Sequence, residues 1–297
     1  VIHLGATLSQ ALRNRIRRPL RPDIMLACGI SGGITGAFNA PLAATVFVFE
    51  VMLRRYSAPV FAAVVLAAGS AYVVNEALFD HRLFLALAIS QPTLEAGILA
   101  SLIAPLCALI AWFYIRSLHT MQEWSSKSTL SPGVKIAACA LACSLIGGLV
   151  PELLGLGGQA IQDMLSGSFS VNLLVVLLVG KVLLTSVCIA SGFYGGIAAP
   201  ALFIGAAAGA LVAKALFIFG FGDWTPLLLL NALAGVTAAV IGAPLTLTLL
   251  VIELTGAGIN GALVVATAYA STWLTRTYLT PSYYQTQLNE ILASAKT

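Results

Sequence analysis

Charged side chains divide the chain into long uncharged stretches: Ile24 to Phe49, Tyr56 to Asn75, Ala96 to Ile115, Ile136 to Pro151, Met164 to Gly180, Val182 to Ala213, Trp224 to Ile252 and Leu254 to Thr275. A helix crosses a bilayer with about 20 apolar residues, so most of these stretches are long enough to span, and three are too long for one plain helix. Those three are also the ones interrupted by glycine and proline, in GISGGITGAFNAP, SGFYGGIAAP and GVTAAVIGAP. They predict pairs of shorter or re-entrant helices. The ten-residue alternating segments of a membrane β-barrel are absent. The pattern therefore predicts an all-α, multi-pass integral membrane protein.

Composition agrees. Of 297 residues 59% are hydrophobic and 9% charged, against roughly 25% charged in an average soluble domain. The net charge of +4 gathers in RNRIRRPLR, Arg13 to Arg21. A basic loop beside lipid phosphates accounts for that run, and no nucleic-acid partner is inferred from it. The five cysteines, Cys28, Cys107, Cys139, Cys143 and Cys188, form no CxxC or Cys/His motif. They read as separate small core residues, with no metal or other cofactor.

The most informative internal feature is a repeat. GGITGAFNAPLAATVFVFEV, Gly32 to Val51, aligns with GVTAAVIGAPLTLTLLVIEL, Gly235 to Leu254, without a gap. Gly32/Gly235, Ala40/Ala243, Pro41/Pro244, Leu42/Leu245, Thr45/Thr248, Val48/Val251 and Glu50/Glu253 are identical pairs. Each copy reads as a glycine-rich helix, a break, and Ala-Pro-Leu opening a new helix that ends on a lone glutamate. Proline suits a first helical turn, where its missing N–H has no intrahelical partner in any case. Paired, interrupted segments in two halves mark a transporter built from structural repeats, with its substrate near the bilayer midplane.

The third interrupted stretch, SGFYGGIAAPALFIGAAAG, Ser191 to Gly209, has no counterpart glutamate. Non-helical backbone persists at membrane depth only where protein or a water-filled path satisfies it. Helix resuming around Pro200 directs free amides and a positive helix end at mid-membrane, a site that suits an anion. No carboxylate lies between Val182 and Ala213, so a carboxylate cage for a cation is excluded there. Lys181, just upstream, is either a snorkelling side chain or a source of positive potential along the pathway.

At this point GAFNAPLAATVFVFE (36–50), SGFYGGIAAPALFIGAAAG (191–209) and GAPLTLTLLVIELTG (242–256) resemble the CLC family of chloride channels and chloride/proton exchangers. The resemblance covers essentially the whole chain. It implies a CLC-like inverted-repeat bundle, a homodimer with one anion pathway per subunit, in a cell membrane, the inner membrane of a bacterium. Gly196 to Pro200 (GIAAP) then corresponds to the family's GxFxP filter loop. Within it, backbone amides at Gly196, Ile197 and Ala198 face the anion, while Gly192, Gly195, Ala199 and Pro200 shape the loop and helix start. Ala198 stands where the family usually has phenylalanine. Tyr283, two residues after Pro281, matches the tyrosine whose hydroxyl reaches the anion; the alternative for Tyr278, Tyr283 and Tyr284 alike is an interfacial aromatic belt. Glu50 is a candidate for the proton path, and Val51 occupies the position of the inner proton glutamate, so passive, channel-like conduction is expected ahead of anion/proton exchange.

Two further motifs of the family, resembling GREGP and GSGIP, do not occur in this sequence, and VIHLGATL resembles the segment directly after the family's GREGP. The expectation is a chain shortened at its N-terminus. Residues 1–92 then form the remainder of a first inverted repeat, 93–280 a second, and 281–297 a C-terminal helix, without CBS domains. Two other readings compete. GISG, Gly29 to Gly32, fits an intramembrane serine protease with Ser31 as nucleophile, which would need a base among His3, His81 and His119. A sodium-coupled organic-anion transporter also uses broken helices but leaves GIAAP and the repeated APL unexplained.

Overall fold

The computed structural model describes residues 2–13, 15, 21–53, 56–79, 101–256 and 261–294, and among these every regular element is helical. In chain order the α-helices are α1 (Ile2–Arg13), α2 (Pro22–Phe38), α3 (Pro41–Phe47), α4 (Ala58–Leu78), α5 (Ala104–Lys127), α6 (Pro132–Leu149), α7 (Gly158–Leu165), α8 (Val171–Ala190), α9 (Ala198–Ile218), α10 (Thr225–Ile241), α11 (Pro244–Thr255), α12 (Gly261–Leu274) and α13 (Tyr283–Ser294). Helix α3 continues as a π-turn over Val48–Leu53, and α12 as another over Thr275–Leu279. Among the described residues, four helices, α4, α6, α8 and α9, are long and apolar enough to cross a membrane. The expected boundary between repeats at 92/93 lies outside the described residues.

Each over-long stretch resolves into two helices. The breaks fall at Asn39–Ala40, at 191–197 and at Gly242–Ala243. The first and last are equivalent in the repeat and are built alike. Asn39 (φ 51°) and Gly242 (φ 82°) are both left-handed, and their N–H groups donate to Thr35 and Ala238. A left-handed residue ends a helix by satisfying one of its last carbonyls. Glycine adopts it without strain, and asparagine is among the few other residues that do.

The chain divides into two compact units, Val1–Ala88 with Leu245–Ala262, and Ile89–Pro244 with Leu263–Thr297. In the first, α1 crosses α2 so closely that a Cβ on Gly5 would lie 2.1 Å from the Gly29 carbonyl oxygen. This crossing explains GISG. Ser31 is fully buried, and its hydroxyl has no hydrogen-bond partner among the described residues, which include His3 and His119 but not His81. Ala27, Ile30, Ile34, Ala44, Val48, Phe49 and Val64 make the core of this unit. Asn75 of α4 donates to the carbonyls of Thr35 and Gly36, covering the end of α2.

In the second unit the central pair is α9 and α10. A Cβ on Gly205 would meet the Ala232 oxygen at 2.6 Å, and one on Gly209 would meet Leu229 Cα at 2.5 Å. Small residues four apart bring two backbones into direct contact, the packing mode favoured inside membranes. At the start of α10, Asp223 accepts from the Thr225 N–H at 2.9 Å. Hydrogen bonding from Thr225 holds this carboxyl below its ordinary pKa.

The contact between α9 and α10 is backbone on backbone, so it cannot yield to a larger side chain. Gly209→Val is expected to destabilise the protein by about 1–3 kcal/mol, read as a lower midpoint of thermal unfolding in detergent. Gly36→Ala, whose Cβ meets nothing within 4 Å, is expected to leave the midpoint unchanged or raise it.

Candidate anion site

A helix begins with amides that have no acceptor within it, and in an apolar surrounding each unsatisfied donor costs on the order of 1–3 kcal/mol. At α3 every one of these donors is accounted for. Pro41 has no N–H. Leu42 and Ala43 donate to the two oxygens of Glu253 at 2.9 and 2.8 Å, and Ala44 donates to the Ala40 carbonyl at 3.0 Å. The equivalent arrangement opens α11. Leu245 and Thr246 donate to the two oxygens of Glu50 at 3.1 and 2.8 Å, and the Thr246 hydroxyl adds a third bond at 2.6 Å. Each glutamate of the repeat thus caps the proline-opened helix of the other copy. Both pairs lie within the first compact unit, since Leu245–Ala262 belongs to it.

This gives Glu50 a role that the sequence did not suggest. Its carboxylate is engaged by three donors at a positive helix end, which makes it a charge-assisted cap. Val51, beside it in the π-turn, is half-buried.

The start of α9 is different. The helix begins at Ala198, two residues before Pro200, and its first internal bond runs from the Ala201 N–H to the Ile197 carbonyl at 3.1 Å. Pro200 has no N–H. The amides of Gly196, Ile197, Ala198 and Ala199 meet no carboxylate among the described residues, so this helix end is left positive. Ala199 is an additional donor at the predicted site. Gly192 is left-handed (φ 101°), while a Cβ at Gly195 or Gly196 would meet nothing within 4 Å. Residues 192–196 are exposed and Ile197 is buried.

Tyr283 is the buried tyrosine of the C-terminal pair, at the start of α13, and it belongs with Ile197, Ala201 and Tyr114 to one buried cluster. Its hydroxyl oxygen accepts from Gln122 at 3.2 Å and Gln287 at 2.9 Å. The His119 ring lies 5.5 Å from the Tyr283 ring, and its buried Nε2 has no hydrogen-bond partner among the described residues. Tyr284 packs edge-on against Tyr283, and Tyr278 is exposed against Trp273. The sequence reading considered His119 only as a possible base for Ser31 and placed neither it nor Gln122 beside Tyr283. Their signal was there: Tyr114, Leu118 and Gln122 recur at four-residue spacing along α5, with His119 beside them.

Lys181 departs from the snorkelling role. It is buried, and Nζ donates to the carbonyls of Leu153 and Gly155, each at 2.8 Å, while lying 4.7 Å from the centre of the Phe203 ring. It fastens the turn after α6 to α8 instead of snorkelling.

With this geometry in place, the comparisons with known proteins agree on a class. The family model described as voltage gated chloride channel matches residues 1–276. The chain belongs to this family. H(+)/Cl(-) exchange transporter ClcA of Vibrio vulnificus (strain YJ016) is 34% identical over 249 residues, covering 78% of this chain and 51% of that protein. ClcA of Vibrio cholerae serotype O1 (strain M66-2) is 32% identical over 277 residues, covering 86% and 57%. The chain spans little more than half the length of these relatives. Among solved structures, a slow cyanobacterial Cl-/H+ antiporter superposes with a TM-score of 0.87 at 22% identity, over 100% of this chain and 71% of that one. A CLC-type fluoride/proton antiporter gives 0.80 at 22% identity, over 95% and 70%. The fold shared with these structures is all-α.

Removing one charge from either clamp should act locally and in parallel. Glu50→Gln and Glu253→Gln are each expected to cost about 1.5–3 kcal/mol. Hydrogen exchange should accelerate at Leu245 and Thr246 in the first variant and at Leu42 and Ala43 in the second. Unchanged exchange at those amides would refute the assignment.

Proposed function

We propose that the protein carries chloride or a related small anion across a membrane and exchanges it for protons. The observation that carries the anion pathway is the start of α9, where four consecutive amides surround a proline-containing first turn without a carboxylate partner among the described residues. Gly196, Ile197, Ala198 and Ala199 supply backbone donors, and Tyr283, in the same buried cluster as Ile197, supplies a hydroxyl. An anion gains there from both the unpaired N–H groups and the helix dipole. Ala198, small where the family resemblance expects phenylalanine, leaves backbone donation intact and widens the approach.

Exchange is favoured over passive conduction because the relatives are named as H(+)/Cl(-) exchange transporters. One observation favours the uncoupled reading, which the sequence alone placed first: Val51 cannot take up a proton, and Glu50 is bound to α11. The liposome assay decides between them. Anion leaving down an imposed outward gradient is expected to drive protons inward against their own gradient, followed with a pH-sensitive dye. Anion efflux without proton movement would replace exchange with channel-like transport, and absence of anion flux would remove both. Tyr283→Phe is expected to weaken anion binding about tenfold, the loss of one hydrogen bond to a charged group.

We also propose a homodimer in a lipid bilayer, the inner membrane of a bacterium. Helix α4 exposes Phe61, Leu66, Val73 and Val74, and Leu42 and Leu245 are exposed at the starts of α3 and α11. Apolar faces of this extent meet lipid or a second copy. Leu249→Trp at the half-buried face of α11 is expected to shift the dimer toward monomer by overpacking, as read by single-molecule photobleaching in liposomes.

A further inference from the structure

The fold brings together three cysteines that the sequence left apart. Cys139 and Cys143 lie one turn apart on α6, and Cys188 lies near the end of α8. Cys188 Sγ is 3.6 Å from Cys139 Sγ and 3.4 Å from Cys143 Sγ, and all three sulfurs lie within 4.8 Å of one another. All three are free thiols. Cys139 is buried and the other two are half-buried. We propose that Cys139, Cys143 and Cys188 form a binding site for a soft, thiophilic d10 cation of the Cu(I)/Cd(II) class, placed where it governs the loop of the anion pathway.

The donor set decides the chemistry. Thiolates prefer soft cations, whereas Mg(II) and Ca(II) require oxygen ligands. Metal–sulfur bonds of about 2.3 Å hold the three sulfurs of a trigonal site about 4 Å apart, close to the separations found here. Binding needs rotamer adjustments of a few tenths of an ångström rather than movement of either helix. Each thiol releases its proton as its sulfur binds, so a fully loaded site releases three protons per cation. No carboxylate or histidine joins the trio among the described residues, which leaves a fourth position to water and disfavours the closed four-ligand geometry of structural zinc.

The position gives the site its consequence. The Cys188 carbonyl accepts from the Phe193 N–H at 3.1 Å, and the carbonyls of Val187 and Ile189 accept from Ser191 and Gly192 at 2.9 and 3.2 Å. The end of α8 that carries Cys188 is therefore the support of the loop 192–197. Helix α6 also reaches that loop, since a Cβ at Gly192 would lie 4.0 Å from Ile136 Cδ1. A cation joining α6 to the last turn of α8 fixes both supports at once and slows anion passage. The binding site stands by itself, and only this effect on flux rests on the anion-pathway reading.

The test is equilibrium dialysis of the reduced, detergent-solubilised protein against Cd(II) with Mg(II) in excess. One Cd(II) per chain is expected, with thiolate-to-cadmium charge-transfer absorption. Binding should weaken at least about tenfold in Cys139→Ser, Cys143→Ser and Cys188→Ser, since even changes behind a direct ligand cost about 10–100-fold. It should persist in the double variant Cys28→Ser/Cys107→Ser. Absence of the charge-transfer band in the unaltered protein, which needs no variant to fold, overturns the site. So does equal binding after all three serine substitutions. In liposomes, Cd(II) should slow anion efflux several-fold in the unaltered protein and not in Cys143→Ser. Binding at the trio with flux unchanged overturns the link to the loop while leaving the pathway reading intact, because that reading is judged by flux without Cd(II).

Discussion

Everything in this molecule turns on how a helix that starts inside an apolar layer finds acceptors for its first amides. The three interrupted stretches answer in two ways. At α3 and α11, proline removes one donor, a glutamate takes two more, and the regular helical bond takes over. At α9, proline removes the third donor instead of the first, no carboxylate arrives, and the amides from Gly196 to Ala199 remain without one. A protein carboxylate in that position would occupy the place of a transported anion. The same physical deficit is thus closed by a glutamate at two helix ends, and at the third it is the feature on which the proposed anion site rests.

The reciprocity of the clamps explains why the repeat survives at the residues it does. Ala-Pro-Leu sets the helix start, and the glutamate nine residues after the proline is the group that closes the other copy's start. Neither half of the motif is useful without its counterpart, so the pair Glu50/Glu253 and the pair Pro41/Pro244 form one device. The left-handed caps at Asn39 and Gly242 belong to it as well, because they turn the chain so that the new helix begins in the correct direction. One oxygen of Glu50 accepts from Thr246 twice, through the amide and the hydroxyl. The proposed exchange therefore has to be reconciled with the capping contacts of Glu50.

The sequence disclosed whatever depends on local pattern. Helix breaks, proline-opened helices and the repeat were all readable because glycine, proline and a lone acid in an apolar run have few structural explanations. The break before the third of these helices was readable for the same reason, although that helix begins at Ala198 rather than at Pro200. Tyr283 was singled out by its place after Pro281 through the family resemblance, and the structure distinguishes it from Tyr284 by deeper burial and by the bonds from Gln122 and Gln287. What stayed hidden depends on side chains distant in sequence meeting across helices. Lys181 finding the Leu153 and Gly155 carbonyls, His119 and Gln122 meeting Tyr283, and Cys188 meeting Cys139 and Cys143 are facts of packing. The acceptors of the two repeat glutamates were hidden too, since an acid at a helix end looks the same whether it faces water, a proton path or another helix.

Packing also accounts for the contrast between the filter loop and the helix behind it. Helix α9 is buried along most of its length, from Ala201 to Ala210, and it touches α10 backbone to backbone through Gly205 and Gly209. Interiors packed at that density leave a helix little room to shift. Its N-terminal amides are therefore held in a fixed direction by contacts several turns away. The loop leading into them, 192–196, is exposed and makes no comparable contact at Gly195 or Gly196. Preorganised donors on a rigid helix, approached through an open glycine loop, lower the cost of exchanging an anion's hydration shell for backbone amides, because the donors need not reorganise when the anion arrives. In the proposed pathway, anion selection and passage through the loop then fall to different residues, the first to the half-buried helix start and the second to the glycines before it.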